Sequence, residues 1–282
     1  MNIENQVIQG NCIEILPQLP KNSVNLVFTS PPYAEQRKGY YESVSTDDYP
    51  KFTLEWMNAL KPLLKTDGSV IINIREHEFK GVQDPYVLKT ILNLIQNGWN
   101  WCGKFIWHKT TAPPMGSVNR LRRAYEDLYW FAPTNNPYIA PKALGKIGVI
   151  GFDSMRANEV GLAHGFKERS IGAVRSTDVF SVSVHKNKRG NPHPAQFPEE
   201  LSNQIVKIFC PDDGLVLDPF LGSGTVAVSA KNQGKRYCGI EIDPTFVTYA
   251  EQRISQAVLA IPSPDELHEQ PSQGDLDFDI EC

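Results

Sequence analysis

The stretch Leu215–Thr225, LVLDPFLGSGT, decides the fold of this 282-residue chain. Its apolar start predicts a buried strand, its two glycines predict a tight turn, and the residues after Thr225 predict a helix. Glycines at such a turn let a ligand approach the backbone, and the helix N-terminus offers unpaired amide donors. Glu241 ends the next predicted strand, where a carboxylate can hold ribose hydroxyls. The pattern therefore predicts a nucleotide-type ligand in an α/β fold.

The position of this glycine loop sets the chain apart from an ordinary dinucleotide-binding fold. Fewer than 60 residues follow Gly224, whereas a dinucleotide-binding domain opens with its glycine loop and builds most of its sheet afterwards. The remaining strands must therefore come from upstream, which predicts a permuted order of motifs. An NAD(P)-dependent oxidoreductase that uses the same loop is the alternative at this point.

A second distinctive segment ends an upstream strand. The mostly apolar run Val24–Phe28 is followed by Thr29-Ser30-Pro31-Pro32-Tyr33. The two prolines fix the backbone and contribute carbonyls without N–H groups. This turn suits a planar ring that carries an amino group, because the amine can donate to Ser30 and to the Pro31 carbonyl while the ring stacks on Tyr33. The oxidoreductase alternative leaves this segment unexplained.

Short apolar runs alternate with helix-period stretches in the rest of the chain, which is typical of an α/β domain. Phe52, Trp56, Leu60 and Leu64 predict one face of a helix that stops before Gly68. Further predicted strands are 70–74, 104–107, 215–217 and 237–242, and further predicted helices are 84–97, 198–209, 225–233 and 244–258. The stretch 133–192 has weak periodicity and predicts a loop-rich insertion.

Composition and charge exclude several classes of protein. No apolar run approaches the roughly 18 residues of a membrane span, and the N-terminal segment lacks an export signal, so we expect a cytoplasmic protein. Five scattered cysteines without a Cys-x-x-Cys pair argue against a disulfide framework and a zinc site. Residues 103–190 carry 14 Lys/Arg against 6 Asp/Glu, whereas 263–282 carry seven acidic and no basic residues. The net charge of −4 therefore conceals a basic middle and an acidic end, and the acidic tail is typical of a disordered extension.

Taken together, the motifs resemble the amino-methylating DNA methyltransferases, specifically their permuted β group. In that family a (Ser/Asp/Asn)-Pro-Pro-(Tyr/Phe) motif precedes an Asp-Pro-Phe-x-Gly-x-Gly motif, as Ser30–Tyr33 precedes Asp218–Gly224 here. The resemblance covers about Gly10–Ile254. Further matches are Leu60-Lys61-Pro62, Trp107-His108-Lys109, Tyr125-Glu126, His193-Pro194-Ala195-Gln196-Phe197-Pro198 and Gly239-Ile240-Glu241-Ile242-Asp243. The resemblance implies a Rossmann-like methyltransferase fold with circularly permuted motifs, a mostly parallel sheet and helices on both faces.

The resemblance also implies S-adenosyl-L-methionine as the cofactor. Asp218 would lie near its methionine ammonium, and Phe220 and Glu241 near its adenosine. The whole implied cofactor-binding set is Asn11, Cys12, Thr29, His193, Pro194, Phe197, Asp218, Pro219, Phe220, Gly222, Ser223, Gly224, Thr225, Glu241 and Ile242. Asn11 and Phe197 stand where the family more often has aspartate and lysine, which weakens the contacts expected from them.

The implied catalytic set is Ser30, Pro31, Pro32 and Tyr33. Ser30 and the Pro31 carbonyl would hold the target amine, and Tyr33 would stack on a base flipped out of the duplex. No cysteine follows a proline, so the Pro-Cys loop that carbon-5 methylation needs is missing. A serine at the first motif position usually accompanies cytosine in this family, which favours cytosine N4 over adenine N6, the alternative.

Double-stranded DNA is the implied partner. The residues expected to contact it are Lys109, Arg120, Arg122, Arg123, Lys186, Lys188 and Arg189. The expected setting is a restriction-modification or related system, in which a cognate restriction endonuclease is a second candidate partner. We expect a bacterial or phage-encoded protein that is a monomer or a homodimer. A DNA-binding module without catalysis is disfavoured because Ser30–Tyr33 is intact.

The motifs divide the chain into four expected parts. Residues 1–132 form the catalytic part of the methyltransferase domain, and 133–192 form a target-recognition insertion. Residues 193–262 form the cofactor-binding part, and 263–282 form the acidic tail.

Overall fold

The computed structural model describes residues 3–35, 44–79, 81–111, 121–145, 147–152, 167–184 and 196–258. In chain order its strands and helices are β1 (Gln6–Gln9), α1 (Cys12–Ile15), β2 (Val24–Thr29), α2 (Tyr49–Leu60), β3 (Leu64–Ile74), β4 (Glu78–Phe79), β5 (Val82–Gln83), α3 (Tyr86–Gln96), β6 (Asn100–Lys109), β7 (Tyr125–Ala132), β8 (Ile147–Phe152), β9 (Lys167–Ala173), β10 (Val179–Val182), α4 (Glu199–Phe209), β11 (Leu215–Asp218), α5 (Thr225–Asn232), β12 (Arg236–Glu241) and α6 (Pro244–Gln256).

One large sheet forms the centre of the fold. Its strand order is β1-β12-β11-β2-β3-β7-β6-β10, and β7 runs antiparallel to both of its neighbours while the other pairs are parallel. The strands β4 with β5, and β8 with β9, pair as two separate ribbons. The predicted mostly parallel α/β sheet is confirmed.

Helices bury their apolar faces against both sides of this sheet. Trp56 and Leu60 of α2 and Leu94 of α3 belong to one buried cluster. Ile205 of α4 and Val226 of α5 belong to the cluster on the other side, together with residues of α6. None of the helices in the described ranges is long and apolar enough to cross a membrane.

The structure differs from the sequence prediction around Gly68. The sequence predicts a helix that includes Leu64, but α2 ends at Leu60 and Leu64 begins β3. A Cβ at Gly68 would lie 3.1 Å from the carbonyl oxygen of Val24 on the neighbouring β2. Gly68 therefore permits close approach of two strands, where the sequence pattern suggested the end of a helix.

The region expected to be an insertion also contributes to the main sheet. Val179–Val182 pairs with β6 as an edge strand. The backbone N–H of Tyr138 donates to the Asp67 carbonyl, and that of Ala140 donates to the Ile208 carbonyl. A strand of four residues is too short to give a clear hydrophobic period, which is why the sequence pattern did not reveal it.

The connections on either side of β2 position the site. β2 leads through α2 to β3 on one face, whereas its neighbour β11 leads through α5 to β12 on the other face. The carboxyl ends of β2 and β11 are therefore adjacent at the point where the connections that follow them leave to opposite faces of the sheet. In open α/β sheets this switch point is where ligands bind.

Candidate active site

The ends of β2 and β11 bring the two sequence motifs into contact although they lie far apart in the chain. Val27 pairs with Leu217 across the two strands. Thr29 Oγ1 donates a hydrogen bond of 2.7 Å to Asp218 Oδ1, across 189 residues of sequence, and both side chains are buried. The proline turn and the glycine loop therefore lie side by side at the carboxyl ends of these strands.

The proline turn places the Tyr33 hydroxyl among polar side chains. Ser30 Oγ donates to Tyr33 Oη at 3.4 Å. Tyr33 Oη lies 3.3 Å from Asn73 Oδ1 and 3.2 Å from Glu126 Oε2. Burial, reinforced by the Glu126 charge, raises the pKa of Tyr33 well above its usual value. The phenol therefore keeps its proton and can donate it to either acceptor.

Two cationic side chains lie next to the Glu126 carboxylate. Lys109 Nζ is 2.5 Å from Glu126 Oε1, and Arg75 Nη1 is 4.0 Å from that oxygen. The Arg75 guanidinium also lies 5.9 Å from the centre of the Tyr33 ring. Sequence reasoning missed Asn73 and Arg75 as site residues, because strand alternation shows which face a side chain occupies but not what it meets across the sheet.

Positive backbone angles shape the glycine loop. Gly222 has a φ of 51° and Gly224 a φ of 79°. Glu241 Oε2 accepts from the Gly222 N–H at 2.7 Å, and Glu241 Oε1 accepts from the Asp243 N–H at 2.9 Å. Burial raises the pKa of Glu241, and these backbone donors partly oppose that effect. The carboxylate that the sequence assigned to a ribose thus also fixes the loop.

Gly224 has a second function, in helix packing. The sequence suggests that a side chain here would obstruct a ligand, but a Cβ at Gly224 would lie 3.0 Å from the Ala250 Cβ and 3.2 Å from its Cα. Ala250 belongs to α6. Glycine at this position therefore lets the start of α5 approach α6.

We expect Gly224→Ala to destabilise the fold more than a glycine replacement that strains the backbone alone. Gly145 is the matched control, because its φ is +60° and a Cβ there would meet no atom of the described residues within 4 Å. Left-handed backbone costs about 1 to 2 kcal/mol in both variants, and the Ala250 contact adds about 1 to 3 kcal/mol in the first. Chemical denaturation measures both values. Equal stability of the two variants would contradict the packing role of Gly224.

The start of α5 is connected to α6 and α4 through hydrogen bonds of Arg253. The N-cap residue of α5 is Gly224, which has no side chain to cap the first turn. Arg253 Nη1 donates to the Ser223 carbonyl at 2.5 Å and to Thr225 Oγ1 at 3.2 Å, and Arg253 Nη2 bonds Glu199 of α4. Arg253, which sequence reasoning also missed, thus links the glycine loop to the start of α4.

Asp218 is a buried acid with one oxygen in use. Its Oδ1 accepts from Thr29 and, at 3.1 Å, from the Phe220 N–H. Burial raises the pKa of Asp218 to about 7, the two hydrogen bonds oppose the rise, and the charge of Glu241 adds to it. Oδ2 makes no hydrogen bond within the described ranges, which leaves it available for a cationic group.

Aromatic side chains surround Phe220 beside Asp218. The Phe220 ring centre lies 6.0 Å from that of Phe52 and 5.4 Å from that of Trp56. The sequence predicts Phe52 and Trp56 on one apolar face of a helix but does not indicate their contact with the glycine-loop phenylalanine. Phe197 packs on Phe28, with ring centres 5.0 Å apart.

Asn11 and Cys12 lie at the start of α1 on the Glu241 side. The Gly10 N–H donates to the Glu241 carbonyl. Asn11 Oδ1 caps α1 by accepting from the Ile13 N–H at 3.0 Å. Burial raises the pKa of Cys12 to about 12, with small contributions from Glu241 and Asp218, so the thiol stays neutral. Of the other predicted cofactor residues, Pro219, Ser223 and Thr225 are buried and Ile242 is exposed.

The residues expected to contact DNA differ in their surroundings. Arg122 and Arg123 are exposed, and Arg123 also bonds Glu78 at 3.0 Å. Lys109 is only 14% exposed, and its ammonium bonds Glu126. Outside the described residues lie His193, Pro194, Arg120, Lys186, Lys188, Arg189 and the tail 263–282. No cluster of three potential metal ligands occurs in the parts of the chain that the structure describes.

Similarity to known proteins agrees with this geometry. Type II methyltransferase M.ScaI of Streptomyces caespitosus is 29% identical over 260 residues, which cover 87% of this chain and 79% of that protein. The structure of PvuII DNA methyltransferase (cytosine-N4-specific) matches with a TM-score of 0.70 at 22% identity, covering 89% of this chain and 86% of the other. The M1.HpyAVI–SAM complex matches with a TM-score of 0.59 at 19% identity, covering 88% and 98%.

Because the two solved structures are only 22% and 19% identical to this chain, they establish its fold and not its function. The family is established by the DNA methylase model N6_N4_Mtase, which matches residues 24–252 and so includes both the proline turn and the glycine loop. The predicted resemblance is confirmed, and the chain belongs to the N6/N4 DNA methylase family.

Proposed function

We propose that this DNA methylase uses S-adenosyl-L-methionine to methylate the N4 amine of a cytosine flipped out of double-stranded DNA. The observation that carries the proposal is the Thr29–Asp218 hydrogen bond. It joins a turn rich in acceptors for an amine to an acidic glycine loop. Methyl transfer to an amine needs a site for the methyl donor next to a site for the amine, and the two segments provide these sites side by side.

The residues of the glycine loop fit S-adenosylmethionine. Asp218 Oδ2 is available for the methionine ammonium, and the start of α5 presents backbone N–H groups that suit a carboxylate. Phe220 offers an aromatic surface for adenine, and Glu241 can accept ribose hydroxyls in addition to its two backbone bonds. The chemistry that this cofactor supplies is an electrophilic methyl group on a sulfonium sulfur. The SAM complex of the similar M1.HpyAVI supports the assignment.

The proline turn fits the nucleophile. The lone pair of an exocyclic amine is conjugated with its ring, which makes the amine a poor nucleophile. By accepting its two N–H bonds, Ser30 Oγ and the Pro31 carbonyl favour a pyramidal nitrogen whose lone pair faces away from them. Alignment of this kind can contribute on the order of 7 to 11 kcal/mol to a rate. We assign these two acceptors, with the Pro32 bend and the Tyr33 ring, as the catalytic residues.

The choice of cytosine over adenine rests on Ser30. A hydroxyl is a smaller and weaker acceptor than a carboxylate, and cytosine has the smaller ring. Similarity to the cytosine-N4-specific PvuII enzyme points in the same direction. The type II designation of M.ScaI supports a restriction-modification setting.

The remaining parts of the chain would bind DNA. Arg122 and Arg123 lie exposed just before β7, whose second residue, Glu126, contacts Tyr33. We assign them to phosphate contacts and 133–192 to target recognition, with 179–182 anchoring that part in the sheet. Residues 1–132 and 193–262 are assigned to catalysis and cofactor binding.

The product of the reaction tests the base assignment. We expect N4-methylcytosine after incubation of the protein with mixed-sequence duplex DNA and S-adenosylmethionine, followed by digestion to nucleosides and mass spectrometry. N6-methyladenine as the sole product would overturn the choice of base and leave the mechanism standing. 5-Methylcytosine would overturn the mechanism, because that reaction needs a cysteine nucleophile.

A further inference from the structure

Three strands converge on the Tyr33 hydroxyl. Asn73 lies near the end of β3, Lys109 ends β6, and Glu126 lies at the start of the antiparallel β7. Because β7 runs opposite to its neighbours, its first residues reach the sheet edge where β3 and β6 end. We call Asn73, Lys109 and Glu126 the Tyr33 cluster.

The Tyr33 cluster contains an ion pair that is largely withdrawn from water. The side chains of Glu126 and Lys109 are 9% and 14% exposed, and their charged atoms lie 2.5 Å apart. A buried pair of this kind contributes little net stability, because desolvation of both charges offsets their attraction. The other oxygen of Glu126 lies 3.2 Å from Tyr33 Oη. The carboxylate thus connects a fixed cation to the tyrosine of the proline turn.

We propose that Glu126, held by Lys109, is a positioning residue that fixes the Tyr33 ring as the stacking surface for the target base. This inference rests on the proposed function. Tyr33 follows two prolines, which fix the backbone but do not by themselves orient the tyrosine side chain. A hydrogen bond from the far end of the ring to a carboxylate held by Lys109 restricts the orientation of the ring before the base arrives. Preorganisation of this kind lowers the cost of binding the base.

The geometry also gives Lys109 a different role from the one expected from sequence. A lysine that contacts phosphate presents its ammonium to solvent, whereas here the ammonium lies on Glu126 and 4.6 Å from the centre of the Trp107 ring. We assign Lys109 to the support of Glu126 and not to the DNA backbone.

A double-mutant cycle tests the positioning role. Glu126→Gln, Tyr33→Phe and the double variant are compared for single-turnover methyl transfer and for cofactor affinity. We expect each single change to slow transfer about tenfold. Tyr33→Phe removes the hydroxyl that bonds Glu126, and Glu126→Gln removes the charge by which Lys109 holds the acceptor in place. The double variant should be no slower. Cofactor affinity should stay constant. Glu4→Gln, which alters an ion pair with Arg236 elsewhere on the surface, is the matched control and should behave as wild type.

The outcomes separate this inference from the proposed function. Independent, multiplying effects of Glu126→Gln and Tyr33→Phe, or no effect of Glu126→Gln, would overturn the positioning role while wild-type methylation persists. Absence of any base methylation by the wild-type protein would instead overturn the proposed function.

Lys109→Met distinguishes support of Glu126 from a phosphate contact and remains informative if Glu126 variants fold poorly. The positioning role predicts slower methyl transfer at saturating DNA with an unchanged salt dependence of DNA binding. A phosphate contact predicts weaker binding and a flatter salt dependence, with an unchanged rate at saturation. The second pattern would overturn the role assigned to Lys109.

Discussion

Ser30→Ala should slow methyl transfer by about two to three orders of magnitude, the loss typical of removing one group that stabilises a developing transition state. Ser30 directly follows β2, next to the Thr29–Asp218 bond. Loss of its hydroxyl leaves the Pro31 carbonyl as the remaining acceptor for the amine. Single-turnover rates with labelled S-adenosylmethionine measure the effect.

Cofactor affinity should change little in this variant, because Ser30 is assigned to the target amine. Ser255→Ala, at the exposed end of α6, controls for loss of a serine hydroxyl. A wild-type rate for Ser30→Ala would show that the proline carbonyl suffices and would remove Ser30 from the catalytic set.

Asp218→Asn should weaken binding of S-adenosylmethionine about 10- to 100-fold, as expected for loss of a hydrogen bond to a charged group. An amide oxygen can still accept from Thr29 and from the Phe220 N–H, so the contacts of the present Oδ1 are kept. The charge available to an ammonium is lost. Calorimetric titration measures the affinity, and Asp212→Asn, an exposed carboxylate beside Lys235, is the control. Unchanged affinity of Asp218→Asn would place the ammonium elsewhere.

The same substitution has a pH signature without cofactor. Burial raises the pKa of Asp218 from 3.8 to about 7, so the folded state holds this proton to higher pH than the unfolded state. The contribution of this group to the free energy of unfolding therefore falls as pH rises from about 4 to about 7. Asp218→Asn removes that slope, and denaturation at pH 5 and pH 8 compares the two proteins. Cofactor affinity of the wild type should rise over the same interval, since an ammonium binds the ionised form.

Much of the site could be predicted because its backbone conformation depends on the residue types at each position and not on distant contacts. Gly222 and Gly224 adopt positive φ angles that few other residues tolerate. The prolines of Ser30–Tyr33 likewise restrict their own torsions wherever the chain places them. Local patterns of this kind gave both motifs and most strands of the sheet.

The partners of these motifs could not be predicted, because they depend on pairing across the sheet. Glu126 meets Tyr33 across 93 residues, and Phe220 packs on Trp56 of a helix far upstream. Nothing in the sequence next to Arg253 indicates its bonds to Ser223 and Glu199. The close approach of β2 and β3 at Gly68 also depends on the assembled sheet, and so the glycine resembled a helix end.

The position of β2 between β11 and β3 has a consequence for synthesis of the protein. Every side chain of Val24–Thr29 is buried in the finished sheet, yet Asp218 of β11 leaves the ribosome 189 residues after Thr29. At about 5 to 20 residues per second this delay is about 10 to 40 s. During that time one apolar edge of β2 has no strand beside it, and such edges associate with other chains. We therefore expect nascent chains halted between β10 and β11 to depend on chaperones for solubility, and to be released from that dependence once β11 and β12 are made.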